Sequence, residues 1–148
     1  MTDETYQFED LKLCLPIPAG MSRADVVTAW IASQHAVSDS QEHERTFWAF
    51  MVMHELCEDR PAIAWELIKL ILKQDQSPMI MQVLSAGPLE DLLANYGLEY
   101  IAKVEAEAKA NPQFASLLGG VWRSSITEDM WNRVLQVRDR RGWDGNPK

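Results

Sequence analysis

The chain has 148 residues, 47% apolar and 24% charged, which suffices for one domain with its own core and excludes wholesale disorder. Its net charge of −8 excludes the clustered Lys and Arg that a nucleic-acid backbone or an anionic membrane surface demands, so neither is an expected partner and a basic protein is. The charge is also uneven: residues 132–148 hold five basic and two acidic side chains, so a body of −11 precedes a basic tail of +3.

Cys14 and Cys57 stand 43 positions apart without CxxC or Cys/His spacing, and no signal-peptide pattern opens the chain. A reduced, cytoplasmic protein is expected, with one disulfide still open to it. Glu55, Glu66 and Lys69 interrupt the longest apolar stretches, far short of the roughly 18 residues a membrane span needs.

Residues 1–20 start acidic and continue as Leu11-Lys12-Leu13-Cys14-Leu15-Pro16-Ile17-Pro18. The two prolines lack the N–H of a central strand, so an extended arm over the core is expected. Ser22 caps a first helix running to about Ala36, with Asp25 in its first turn, Met21 as a staple and Val26, Val27, Trp30 and Ile31 facing inward. From Glu42 a second helix carries Phe47, Trp48, Phe50, Met51, Val52, Met53, Leu56 and Cys57. Being apolar almost all round, it reads as a central, heavily covered element, or as part of a homodimer interface.

Pro61 starts a third helix whose wide face is Ala64, Trp65, Leu67, Ile68, Ile71 and Leu72. Ser77 and Pro78 open a fourth. At Gly87-Pro88 the sequence predicts a sharp break: glycine closes one helix in the left-handed conformation and proline begins the next. Leu89, Leu92, Leu93 and Tyr96 then recur at i, i+3, i+4, i+7, and Gly97 ends that short helix. Beyond it Glu99 precedes Lys103, and Glu105 precedes Lys109, at the favourable i, i+4 spacing, with Ile101, Val104 and Ala108 inward. Asn111-Pro112 restarts the chain and Phe114, Leu117, Leu118 and Val121 repeat the stripe before a flexible Gly119-Gly120 pair. Thr127 caps a last helix with Glu128 and Asp129 in its first turn and Met130, Trp131, Val134, Leu135 and Val137 along it.

No segment alternates cleanly enough for a strand. The expected fold class is all-α: about seven to eight short helices packed as hairpins, HEAT-like or as an irregular bundle. Helix starts at Pro61, Pro78, Pro88 and Pro112 are spaced by 17, 10 and 24, too irregular for a true repeat. One helical domain is expected over 21–141, and a flexible tail over 142–148.

Ala64-Trp65-Glu66-Leu67-Ile68, the run Leu84 to Leu93 with its Ala-Gly-Pro-Leu-Glu-Asp-Leu-Leu motif, and Leu117-Leu118-Gly119-Gly120-Val121-Trp122 carry a family likeness. Over roughly residues 60–135 the chain resembles a family of small bacterial helical proteins known only as a domain of unknown function. The resemblance implies kinship and no activity.

The one metal-like stretch is His54-Glu55-Leu56-Cys57-Glu58, where His54 and Glu58 share a helix face and Glu55 is placed as a base. It lacks the second His of H-E-x-x-H, so a metal-dependent hydrolase would need His35 or His43 as a further ligand; no metal or cofactor is assigned. Cys57 beside His54 has the spacing of a nucleophile and base, set in a run where a buried, inert thiol is the rule. Gly119-Gly120 lacks the Lys-Ser/Thr of a phosphate loop.

With no complete catalytic set, a non-enzymatic, acidic, protein-binding module is expected, of the inhibitor or immunity type, for a basic partner. Its candidate rim is Glu90, Asp91, Glu99, Glu105 and Glu107, with Trp122 and Arg123 as an aromatic anchor and its neighbour. Glu90 and Asp91 also have a purely structural reason to be there, because acidic side chains are favourable in a first helical turn. Trp122 could equally close the end of the core.

Overall fold

The computed structural model describes residues 22–143. The arm expected over 1–20, Cys14, the Met21 staple and the tail beyond Trp143 lie outside the described residues. Those described are helical, with no strand among them. The chain is laid out as two compact units, residues 1–75 and 76–148.

The first unit packs three helices, α1 (Arg23–His35), α2 (Gln41–Asp59) and α3 (Pro61–Gln74), each against the other two. Ser22 begins α1 as its composition predicts. Its Oγ accepts the Asp25 N–H at 3.1 Å and the Asp25 carboxylate accepts the Ser22 N–H at 3.0 Å, a reciprocal cap that satisfies two otherwise orphaned donors. Val26, Val27, Trp30 and Ile31 are buried. Ser40 caps α2 through the His43 N–H. Pro61 takes the first position of α3, and the expected face from Ala64 to Leu72 is buried. An Arg23–Glu66 ion pair joins α1 to α3.

α2 differs from expectation. Ala49, Val52, Met53, Leu56 and Cys57 are buried, whereas Phe47, Trp48 and Met51 are half-buried and Phe50 is exposed. The helix is therefore covered on one face only among the described residues. On its other side Phe50 stacks on Phe47 at 5.4 Å, and Phe47 meets the His43 ring at 5.3 Å. The aromatic side chains partly cover one another.

The second unit contains α4 (Pro78–Leu84), a π-helical turn (Ser85–Leu89), α5 (Glu90–Ala110), α6 (Pro112–Leu118) and α7 (Glu128–Val137). The break expected at Gly87-Pro88 does not occur. Among the described residues only Gly142 is a glycine with positive φ, and the backbone stays right-handed at Leu84, Ser85, Leu89 and Glu90. α4, the π turn and α5 run on without a break between them, so the described residues form six joined helices where about seven to eight are expected. The physical reason is the wider winding. A proline inside an α-helix clashes with the carbonyl four residues back, and one turn of i→i+5 geometry relieves that contact without ending the helix.

The helix end expected at Gly97 falls one residue earlier: Tyr96 has a non-helical φ of −136° and ψ of 30°, and α5 is two helical runs joined across that kink, the second continuing to Ala110. A Cβ on Gly97 would sit 3.4 Å from Met130 Cγ, an ordinary contact distance, so α7 lies close against the bend. Leu89, Leu92, Leu93, Ile101, Val104 and Ala108 are buried as their spacing predicts. α6 is capped by the Asn111 side chain, which accepts the Gln113 N–H at 3.0 Å, and its stripe of Phe114, Leu117, Leu118 and Val121 is buried. Along α7 only Val134 is fully buried, and Leu135 is exposed.

Gly119 and Gly120 are not a loosened helix end. Both are buried, and a Cβ on Gly119 would fall 2.0 Å from the Asp139 carbonyl oxygen. A Cβ on Gly120 would lie 2.5 Å from both Ser85 Oγ and Trp143 Cη2. The glycines admit the returning chain. Asp139 N–H donates to Ala115 O at 2.9 Å, Arg140 Nη1 to Gly119 O at 2.7 Å, and the Trp143 indole to Ser116 O at 2.8 Å. The Gly119 carbonyl at the end of α6 gains a donor in this way, while Ala115 O and Ser116 O, which already accept the Gly119 N–H, take a second one. Trp143, within the stretch expected to be a flexible tail, is thus packed against the end of α6.

Candidate protein-binding site

The first turn of α5 presents Glu90, and its carboxylate organises the loop between α6 and α7. Oε1 accepts the Trp122 N–H at 3.1 Å, and Oε2 accepts the Ser124 hydroxyl at 2.9 Å. Arg123 closes the same loop: its carbonyl accepts the Ile126 N–H at 2.7 Å and its Nε donates to Ile126 O at 3.3 Å. Ser124 has a φ of 43°, in the left-handed region that a residue with a β-carbon seldom adopts. The hydrogen bond to Glu90 helps hold it there.

The loop carries Trp122 outward. Its side chain is 67% exposed while its backbone is fixed by Glu90, so it does not close the end of the core. Val121 and Ile126, on either side, are buried and anchor the loop to the unit. An exposed indole on a fixed backbone loses little conformational entropy on contact, which suits an interface anchor.

The remaining acidic residues do not form one rim. Glu105 is engaged by Arg133 of α7, whose Nε donates at 2.9 Å and whose Nη2 makes a second bond. These hydrogen bonds hold the Glu105 carboxyl below the ordinary carboxylate range, with the Arg133 and Lys109 charges adding to the effect and desolvation opposing it. The expected pairing with Lys109 is therefore secondary. Lys103, expected beside Glu99, lies over the Tyr100 ring at 5.8 Å. Glu107 and Asp91 are half-buried, and Glu99 is exposed. At about 100° per residue Glu99 and Glu105 point roughly 120° apart around the helix, and the bend at Tyr96 separates both from Glu90 and Asp91.

Sequence reasoning missed two partners of this region, Ser124 and Asp129. In the sequence Asp129 has only the role of an acidic residue in a first helical turn, and nothing local marks Ser124. Asp129 shares with Glu99 a groove of about 450 Å³ at the bend of α5, lined also by Leu93, Tyr96, Leu98 and Met130. Leu98 is 82% exposed. Burial pushes the Tyr100 phenol up from its ordinary value, and the Glu99 charge adds to that.

In the first unit the metal-like stretch is a simple pair. His54 Nε2 lies 3.2 Å from Glu58 Oε1 on the surface of α2, and no group of three His, Cys, Asp or Glu gathers among the described residues. His35 is instead 3.0 Å from Asp75 at the end of α3, and His43 packs on Phe47. Cys57 is 1% exposed, so its thiol is shut off from a substrate while His54 faces solvent. Among the described residues no helix is long and apolar enough to cross a membrane.

Residues 36–142 match a family of unknown function, DUF6869, and the chain belongs to it. The match takes in α2 and α3 whole and so begins well before the likeness seen from residue 60 onward. No curated protein and no solved structure matches the chain.

Proposed function

We propose that this chain is a non-enzymatic protein-binding module that uses Trp122 as its anchor and a basic protein as its partner. The observation that carries this reading is Glu90, which binds two groups of one loop and thereby holds an exposed tryptophan in place. Strained or exposed features kept in place by dedicated hydrogen bonds are characteristic of binding surfaces. The net charge of −8 adds long-range attraction for a basic protein and speeds encounter with it. An inhibitor or immunity-type role, in which the acidic module masks a basic enzyme, is the concrete form this takes.

The test is capture from the source cells with tagged wild type and Trp122→Ala, each at low and high salt, with mass spectrometry of what is retained. The reading expects a basic protein held by wild type at low salt, released at high salt and lost with Trp122→Ala. Retention of the same proteins by both forms, or of none by either, overturns it. Light scattering at two concentrations distinguishes such a partner from a second copy of the chain.

A further inference from the structure

The bend at Tyr96 does more than redirect α5. In a continuous helix Leu98 and Glu99 would be ordinary surface positions; here the bend and the first turn of α7 make them one wall of a groove. Its floor is apolar, with Leu93 buried and Met130 half-buried, and Leu98 is the most exposed large apolar side chain among the described residues. Its charge is of one sign. Glu99 and Asp129 line it from different helices, and no Lys, Arg or His does. Among the described residues neither carboxylate is in an ion pair. Its volume of about 450 Å³ falls within the roughly 300–1,000 Å³ of ordinary binding clefts.

We propose that this groove docks a segment of the basic partner in which an apolar side chain adjoins an arginine or lysine. The apolar side chain covers Leu98 and the half-buried Met130, and the cation sits between Glu99 and Asp129. Charge complementarity selects this occupant: an acidic segment would bring like charges together on both walls, and a purely apolar one would leave two carboxylates against an uncharged surface. The proposal rests on the protein-binding reading above and names the chemistry that reading leaves open.

Two capped dipeptides serve as probes, N-acetyl-Leu-Arg-amide and N-acetyl-Leu-Glu-amide, titrated into the isotope-labelled full chain and followed by amide chemical shifts. The expected result is a saturable shift with the arginine peptide, confined to residues 93–99 and 127–130. It should weaken about fivefold in Glu99→Gln/Asp129→Asn, the loss of two exposed ion pairs. The glutamate peptide should bind more weakly still. The spectra of the double variant report its folding directly. An equal response to both peptides, shifts elsewhere, or no shift at millimolar probe overturns the groove. The double variant in the capture experiment keeps the two readings apart: undiminished, Trp122-dependent capture would leave the protein-binding reading standing and remove the groove from it.

Discussion

Glu105 and Arg133 are joined by a two-point ion pair that fastens the second half of α5 to α7. The pair depresses the Glu105 carboxyl, so its contribution to stability is fully present above the unfolded carboxylate pKa and is lost as pH falls through the folded one. Arg133, whose own pKa is raised by the same bonds, stays charged throughout. Glu105→Gln is therefore expected to lower stability at neutral pH. The gap to wild type should close as both are acidified below the ordinary carboxylate range. Denaturant midpoints across pH measure this, and a gap that stays constant with pH would remove the electrostatic account.

Gly87 and Gly120 should respond oppositely to alanine. Nothing lies within 4 Å of a Cβ at Gly87, and its φ is not in the left-handed region. Gly87→Ala is expected to raise stability by about 0.4–1 kcal/mol by restricting the unfolded chain. Gly120→Ala would drive a methyl group into Ser85 and the Trp143 ring and should cost about 1–3 kcal/mol. Thermal unfolding of the two variants gives shifts of opposite sign if both contacts are as described.

The loop clamp separates stability from binding. Glu90→Ala removes the acceptor of two hydrogen bonds and should cost about 1–2 kcal/mol, at the lower end for partly exposed bonds to a charged group. Trp122→Ala removes a side chain that is 67% exposed and should change stability by less than about 0.5 kcal/mol. Chemical unfolding tests both. A large loss with Trp122→Ala would mean that the indole supports the fold.

The first helix provides a control on local reasoning. Ser22→Ala deletes one half of the reciprocal cap with Asp25 and should cost about 1 kcal/mol. The loss should appear in hydrogen exchange as faster opening of the first turn of α1, with α5 unaffected. Uniformly faster exchange across both units would contradict that local origin.

The features that the chain determines by itself are those whose physics lies within a few residues. Ser22 with Asp25, Asn111 with Pro112, and the stripes Val26-Val27-Trp30-Ile31 and Phe114-Leu117-Leu118-Val121 are read correctly because caps and faces depend on neighbours one turn away. Proline and glycine misled where their meaning is tertiary. Pro88 stops a helix only if nothing accommodates its ring, and here a π turn does. Gly119 and Gly120 look like flexible punctuation until Asp139 and Trp143 return to pack on them. Carboxylates behave likewise. Glu90, Glu99 and Glu105 are alike in sequence, yet one holds a loop 32 residues away, one lines a groove, and one is bound by an arginine 28 residues on. A charge acquires its role from whichever donor the fold brings within about 3 Å, and that distance exists only in three dimensions.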